Sequence, residues 1–308
     1  MDTRFCLHPV IIDENTIFPC GKCPVCRMKY RKQMALRMFM EKSIDKPQNS
    51  YFITLTYNDQ NIPVVSGRQC FDKDHITRFI DSLRHKLRNE GVTLRYFGTC
   101  EYGEEGYRPH YHFIFFLYGD RRFRRFEFKR EFCDPLWHYG FTYDGSVTIR
   151  SIMYCTAYAL KDDESLERDW RGFEEGRPFR VFSLRPGLGL SDNCISWWSN
   201  YISNDGDTRT SISIKSTKRS ISSGIPVGVK RKIKDYYSDL YEQLKTSNQE
   251  WFNGSVSALF ENAQRYGSAR NYTNKNGVDP VNYDPDREIK AFRKALRQLS
   301  KSERKPLK

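Results

Sequence analysis

His110 and His112 stand two residues apart in the segment Arg108-Pro109-His110-Tyr111-His112-Phe113-Ile114-Phe115-Phe116. On a strand, side chains alternate faces, so both imidazoles point one way and Tyr111 the other. Two imidazoles on one face can share a divalent ion. A preceding strand ending in Glu101 could add a carboxylate, and that donor set suits Mn²⁺, Mg²⁺ or Zn²⁺. Further along, Tyr154, Tyr158 and Lys161 are spaced four and three apart, which on a helix puts two phenols and an ammonium on one face. Each pattern has a plainer reading: two ordinary histidines at a strand start, and a helix with two half-buried tyrosines and a snorkelling lysine. Taken together they make a mechanism. A metal held by His110, His112 and Glu101 would polarise a scissile phosphate, a tyrosine hydroxyl would attack in line, and Lys161 would offset the developing charge. Two tyrosines allow two successive transfers.

A third cluster, Cys20, Cys23 and Cys26, has two consecutive two-residue gaps. Such spacing can converge on one ion, and Cys6 or His8 could complete a tetrahedral Zn²⁺ site; the alternative is a set of reduced thiols. An iron–sulfur cluster is a further possibility, but nothing else here calls for electron transfer. Nine cysteines, an odd number in a chain of this length, indicate cytoplasmic thiols rather than a disulfide framework.

These groups must be positioned by a core, and 308 residues suffice for one large domain or two modest ones. The segment from Cys26 to about Lys42 lacks Gly and Pro and reads as a helix. The stretch 51–57 reads as a strand. Ile76, Phe79, Ile80, Leu83 and Leu87 mark a helix over 72–89, with Asp72 or Asp74 to cap it and Gly91 to close it. Strands at 94–101 and 110–118 read as an antiparallel hairpin. A short strand over 141–150 leads to a helix from Ser151 to about Glu164, and 179–184 reads as a last strand. Residues 229–245 read as one amphipathic helix, and the stretch from Asp286 as a second basic helix or tail. These elements predict an α+β fold, a central antiparallel sheet with flanking helices. Three regions are expected: a Cys-rich basic segment at 1–45 packed on the catalytic domain, the catalytic domain itself at 46–204, and a basic helical, partly flexible region at 205–308.

The net charge of +13, with 15% aromatic residues, points to a polyanion whose bases can be stacked. In the basic run 121–130, Arg121, Arg122, Arg124 and Arg125 are candidate phosphate contacts, with Arg108 beside the histidines. The interleaved phenylalanines would stack on bases or anchor a helix; the bland alternative is a solvated face. No run of about 18 apolar residues occurs, and the first residues lack a signal-peptide pattern, so neither a membrane span nor secretion is expected.

His110-Tyr111-His112 resembles the His-hydrophobic-His motif of the HUH endonucleases, and Tyr154, Tyr158 and Lys161 resemble their two-tyrosine motif. The surrounding sequence resembles the replication initiators of the Microviridae, gokushovirus type. The likeness is carried by Cys20-Gly21-Lys22-Cys23-Pro24-Val25-Cys26, Phe52-Ile53-Thr54-Leu55-Thr56-Tyr57, Arg95-Tyr96-Phe97, Glu101-Tyr102-Gly103 and Arg185-Pro186-Gly187-Leu188-Gly189, over about residues 20–189. The resemblance implies a palm-like central sheet with the histidines on a middle strand. It also implies a metal-dependent nicking–joining enzyme acting on single-stranded and replicative-form origin DNA in the cytoplasm of an infected bacterium. Such an enzyme would stay on the 5′ end through tyrosine and leave a 3′-hydroxyl for a host polymerase. A host helicase is implied too, since no Gly-x-x-x-x-Gly-Lys-Ser/Thr loop is present. For the third metal ligand, Glu104, Glu105 and His138 compete with Glu101. Rival readings are a plasmid or transposon HUH enzyme, a non-catalytic nucleic-acid-binding module, and a zinc hydrolase that needs no tyrosine.

Overall fold

A computed structural model describes residues 6, 8–12, 17–21, 23–103, 106–161, 173, 176–203, 211–216, 219–247 and 257–264 of the chain. It divides into two compact units, Arg31–Lys245 and the pair of end segments Met1–Tyr30 and Thr246–Lys308.

Strand β1 (Asn49–Tyr57), helix α2 (Lys73–Asn89; α1 is Pro24–Ser43), strands β2 (Thr93–Tyr102), β3 (Pro109–Tyr118) and β4 (Gly140–Ser146), helix α3 (Ile149–Lys161) and strand β5 (Arg180–Phe182) form the frame of the larger unit. The sheet order is β4-β1-β3-β2-β5 with every neighbour antiparallel, so the strand carrying the histidines is the middle one. The fold is α+β, with an antiparallel sheet flanked by helices, as the interspersed helices and hairpin strands predict.

Period-two alternation decides what each face does. Tyr51, Ile53, Leu55 and Tyr57 of β1 and Tyr111, Phe113, Phe115 and Leu117 of β3 are buried, packed with Ile76, Phe79, Ile80, Leu83 and Leu87 of α2 in one core. At about 1.5–3 kcal/mol for each large apolar side chain removed from water, this face dominates the unit's stability. Asp72 caps α2 by accepting from the amides of Asp74 (2.7 Å) and His75 (3.1 Å). Tyr111 anchors the same corner: its hydroxyl meets that of Tyr57 (2.9 Å) and accepts from the Asp72 amide (2.9 Å). Gly98 is required opposite Phe113, because a Cβ there would lie 2.3 Å from the phenyl ring.

A buried carboxylate ties α1 to the sheet. Glu41, fully buried, pairs with Arg95 of β2 and accepts from the Tyr118 hydroxyl (2.8 Å) and the Gly189 amide (2.6 Å). Arg95 also donates to the carbonyls of Pro186 (2.9 Å) and Gly187 (3.1 Å). Gly189 takes φ +62°, and a Cβ on it would lie 2.4 Å from the Arg37 carbonyl oxygen. Two motif segments, 95–97 and 185–189, thus meet on one acid of α1.

Three details differ from the sequence reading. In the run 121–130, Phe123 and Phe128 are core residues, and the segment forms a helical turn, Arg125–Phe128, running into a π-helical turn, Lys129–Cys133. Two of the interleaved phenylalanines therefore anchor this turn, while Phe126 is exposed. The helix read over 229–245 is two, α5 (Val227–Tyr236) and α6 (Ser238–Ser247), after α4 (Asp192–Ser203). The break falls at Tyr237 (φ −138°, ψ 61°), between an aromatic pair and Ser238, residues weak in helix interiors and, for serine, favoured at starts. Before α5, Ser211–Ser216 and Arg219–Gly224 pair as a hairpin, with Ile214 opposite Ile221. The alternating Ile and Ser there is a period-two signal that the Ser/Thr/Lys composition masked. The expected basic helix or tail from Asp286 lies outside the described residues. Among the described residues, no helix is long and apolar enough to cross a membrane.

Candidate active site

The sheet face opposite the α2 core collects the polar residues. Across β3, His112 is flanked by Thr54 of β1 and Thr99 of β2, and His110 by Thr56 and Glu101. All six sit at strand positions of one parity, so they share a face. The helix bearing the tyrosines has its own start signal: the Thr148 amide donates to the Ser151 hydroxyl (2.8 Å) and the Ser151 amide to the Thr148 hydroxyl (3.2 Å). This reciprocal capping begins α3 at Ile149, two residues before the sequence reading. Helix α1 holds α3 through basic side chains: Arg31 donates to the Met153 carbonyl (3.1 Å) and Lys42 to that of Val147.

That placement brings Tyr154 to the histidine face. Its hydroxyl donates to Oε1 of Glu101 at 3.1 Å, and the same oxygen lies 2.8 Å from Nε2 of His112. On the other side of the ring, Nδ1 of His112 meets the Thr54 hydroxyl at 2.9 Å. Phe52 stacks on His112 (centroids 5.6 Å apart, 11°), and Tyr154 sets its ring edgewise against the imidazole (5.2 Å, 82°). Thr54, Glu101, His112 and Tyr154 thus form one hydrogen-bonded line. His110 stands beside it, its ring parallel to that of His112 (1°) with centroids 6.4 Å apart. Burial, reinforced by His112, lowers the His110 imidazole's pKa and so favours the neutral form.

The donor set could hold a divalent cation. Neutral imidazoles and a carboxylate suit Mg²⁺, Mn²⁺ or Zn²⁺. Nδ1 of His110 is buried and has no hydrogen-bond partner among the described residues, which leaves an imidazole nitrogen for a ligand. The Thr54 contact is the outer-shell bond that orients a ligating histidine and leaves its other nitrogen toward the carboxylate.

Tyr158 and Lys161 lie on the α3 backbone one and nearly two turns beyond Tyr154, but their side chains are outside the described residues, as are Glu104 and Glu105. His138 is exposed in the turn leading to β4. Of the competing third ligands, Glu101 is the one hydrogen-bonded to a motif histidine. The candidate phosphate contacts are all at least partly exposed, and most have acidic neighbours: Arg121 with Glu90, Arg124 with Glu127, Arg125 with Asp144 (2.6 Å) and Arg108 with Asp59. Arg122 is exposed. Arg108 also donates to the Tyr57 carbonyl (2.9 Å), fastening the loop before the histidines to the end of β1. Sequence reasoning gave no role to Thr54 or Phe52. Their alternation within β1 was visible, but the register that sets them beside His112 was not.

In the other unit, Cys6, Cys20, Cys23 and Cys26 converge, with ligand atoms all within 4.8 Å of one another. Cys6, rather than His8, completes this quartet.

Residues 50–163 match the model of a family of phage-type replication-associated proteins, the ORF2 family. The chain is 30% identical over 159 residues to the replication-associated protein ORF2 of Spiroplasma virus 4, covering 48% of this chain and 49% of that protein. It is 33% identical over 159 residues to the replication-associated protein VP4 of Bdellovibrio phage phiMH2K, covering 47% and 48%. With the replication-associated protein ORF4 of Chlamydia phage 1 it shares 24% identity over 255 residues, covering 78% and 57%. The chain spans about half the length of the curated relatives it matches. No solved structure gives a significant match. The resemblance to phage replication proteins read from the motifs is borne out.

Proposed function

We propose that this chain, whose central sheet carries the signature of phage replication-associated proteins, is a metal-dependent endonuclease and ligase of single-stranded DNA. In this reading it nicks the origin of the replicative duplex through a 5′-phosphotyrosine, and later rejoins the ends, so starting and ending rolling-circle replication. One observation carries the reading: Tyr154 donates to Glu101 (3.1 Å), and Glu101 lies against His112 (2.8 Å) on the central strand.

A phenol held on a carboxylate is an activated nucleophile. As the Tyr154 oxygen bonds to the scissile phosphorus, Glu101 takes up the phenolic proton. The bond from phosphorus to the 3′ oxygen breaks opposite the attack, and that oxygen leaves as a 3′-hydroxyl after gaining a proton from solvent. A carboxylate has about four lone-pair sites, enough to ligate an ion with His110 and His112 and still accept from Tyr154. When bound, a divalent cation supplies polarisation of the phosphate oxygens and offsets their charge. Tyr158 would perform the second transfer that recloses the circle, and Lys161 would neutralise charge at the phosphate. The exposed arginines of 121–125 would track the DNA backbone. The free 3′-hydroxyl suits a host polymerase, with a host helicase opening the duplex.

The test is labelled circular single-stranded origin DNA with Mn²⁺, followed by a denaturing gel that preserves covalent links only. An EDTA-sensitive protein–DNA adduct is expected from the wild type. It should be absent from the Tyr154→Phe, Tyr158→Phe double variant and from the His110→Ala, His112→Ala variant. Tight DNA binding with no adduct would replace this reading with a non-catalytic binding module.

A further inference from the structure

Cys6, Cys20, Cys23 and Cys26 lie far in sequence from the histidine face and take no part in the reaction proposed above. Their sulfurs are close but unbonded: Cys6 to Cys20 is 3.4 Å and Cys6 to Cys23 is 3.7 Å. A disulfide would need about 2.05 Å. Four sulfurs around one zinc at about 2.3 Å stand about 3.8 Å apart, the edge of a tetrahedron, so the observed spacing suits a single ion.

A second observation concerns the amides. The Cys20 amide donates to Sγ of Cys6 (3.2 Å) and the Cys23 amide to Sγ of Cys20 (3.2 Å). Such donors stabilise sulfur that carries negative charge, as thiolate ligands do. Cys23 and Cys26 also flank the start of α1, whose N-terminal amides favour anions. Around the quartet, Ile17, Val25, Leu259 and Ala263 form an apolar shell, with Ile11 and Phe260 packed against it. Leu259, Phe260 and Ala263 belong to the helix at 257–264, and Asn262 of that helix donates to the Cys6 carbonyl (3.0 Å).

We propose that Cys6, Cys20, Cys23 and Cys26 bind one structural zinc ion that fastens the helix at 257–264 to the N-terminal segment. Binding deprotonates the four thiols, releases their protons to solvent and involves no redox change. Four thiolates leave no open position for substrate, so the ion is structural. Zinc is favoured over an iron–sulfur cluster because a multi-iron core would spread the sulfurs further than one ion does.

The test uses the full chain without a histidine tag. Elemental analysis should find one zinc per chain, and the count should be unchanged in the His110→Ala, His112→Ala variant, which separates this ion from any at the histidine face. Replacement with Co²⁺ should give the visible bands of tetrahedral cobalt together with thiolate charge transfer. Cys26→Ser should lose the ion, whereas Cys26→His should retain it with weaker charge transfer. Chelation of the wild type should speed amide exchange at 257–264. Zinc well below one per chain, iron in its place, or zinc lost with the histidines would overturn the proposal, whatever the outcome of the nicking assay.

Discussion

Glu101 is the direct cross-strand partner of His110, yet its carboxylate reaches past that residue to Nε2 of His112 at 2.8 Å. The same oxygen takes the Tyr154 hydroxyl, so one acid links the metal-type face to the tyrosine helix. Glu101→Gln keeps the shape and removes the charge. Adduct formation should slow by about 100-fold or more, the usual contribution of a positioned proton acceptor. Timed gels at saturating Mn²⁺, with a thermal scan to show an intact fold, check this. Activity within a few-fold of wild type would remove Glu101 from the mechanism.

Tyr154→Phe deletes one hydroxyl from a partly exposed ring. Its stability cost should be small, about 1 kcal/mol or less, because a net hydrogen bond contributes little. The adduct through the first tyrosine should nevertheless disappear if Tyr154 opens the strand. Peptide mapping of the wild-type adduct identifies the linked residue; exclusive linkage elsewhere would reverse the order of the two tyrosines.

Thr54 touches His112 on the side away from the carboxylate (2.9 Å). Thr54→Val is nearly isosteric and leaves Nδ1 without its partner. The Mn²⁺ concentration for half-maximal nicking should rise by about 10–100-fold, as for other outer-shell partners of ligating histidines. Thr54→Ser should restore it. A metal titration that does not move in Thr54→Val would confine this hydroxyl to packing.

Glu41 offers a prediction about the frame alone. Glu41→Ala strands Arg95, the Tyr118 hydroxyl and the Gly189 amide, so unfolding free energy should fall by about 3–5 kcal/mol, the range for breaking a buried pair. Urea denaturation followed by fluorescence measures it. A loss under about 1 kcal/mol would mean that this ion pair is not what holds α1 to the sheet.

The local signals were legible. The apolar spacing over 76–87 with Asp72 ahead of it gave α2 and its cap, and the alternation around Tyr111 put the histidines on one face and the tyrosine in the core. Long-range pairings were not. Glu41 follows a run of basic residues in α1 and reads as a solvated charge, and nothing local connects it to Arg95 or Gly189. Likewise Thr54 looks like an ordinary strand threonine until the register sets it beside His112. Phe123 and Phe128 were ambiguous for the same reason: spacing shows that they share a segment with arginines, but only packing shows that they point inward.

The shared core of the two end segments has a consequence for the order of events at the ribosome. Cys6, Cys20, Cys23 and Cys26 emerge first, but Leu259 and Ala263, which pack against them, are made after the whole sheet. At roughly 5–20 residues per second, that delay is roughly 10–50 s, ample time for the sheet unit to fold. The N-terminal thiols therefore wait in a half-built shell while the rest of the chain is made, and the unit they belong to is the last to close.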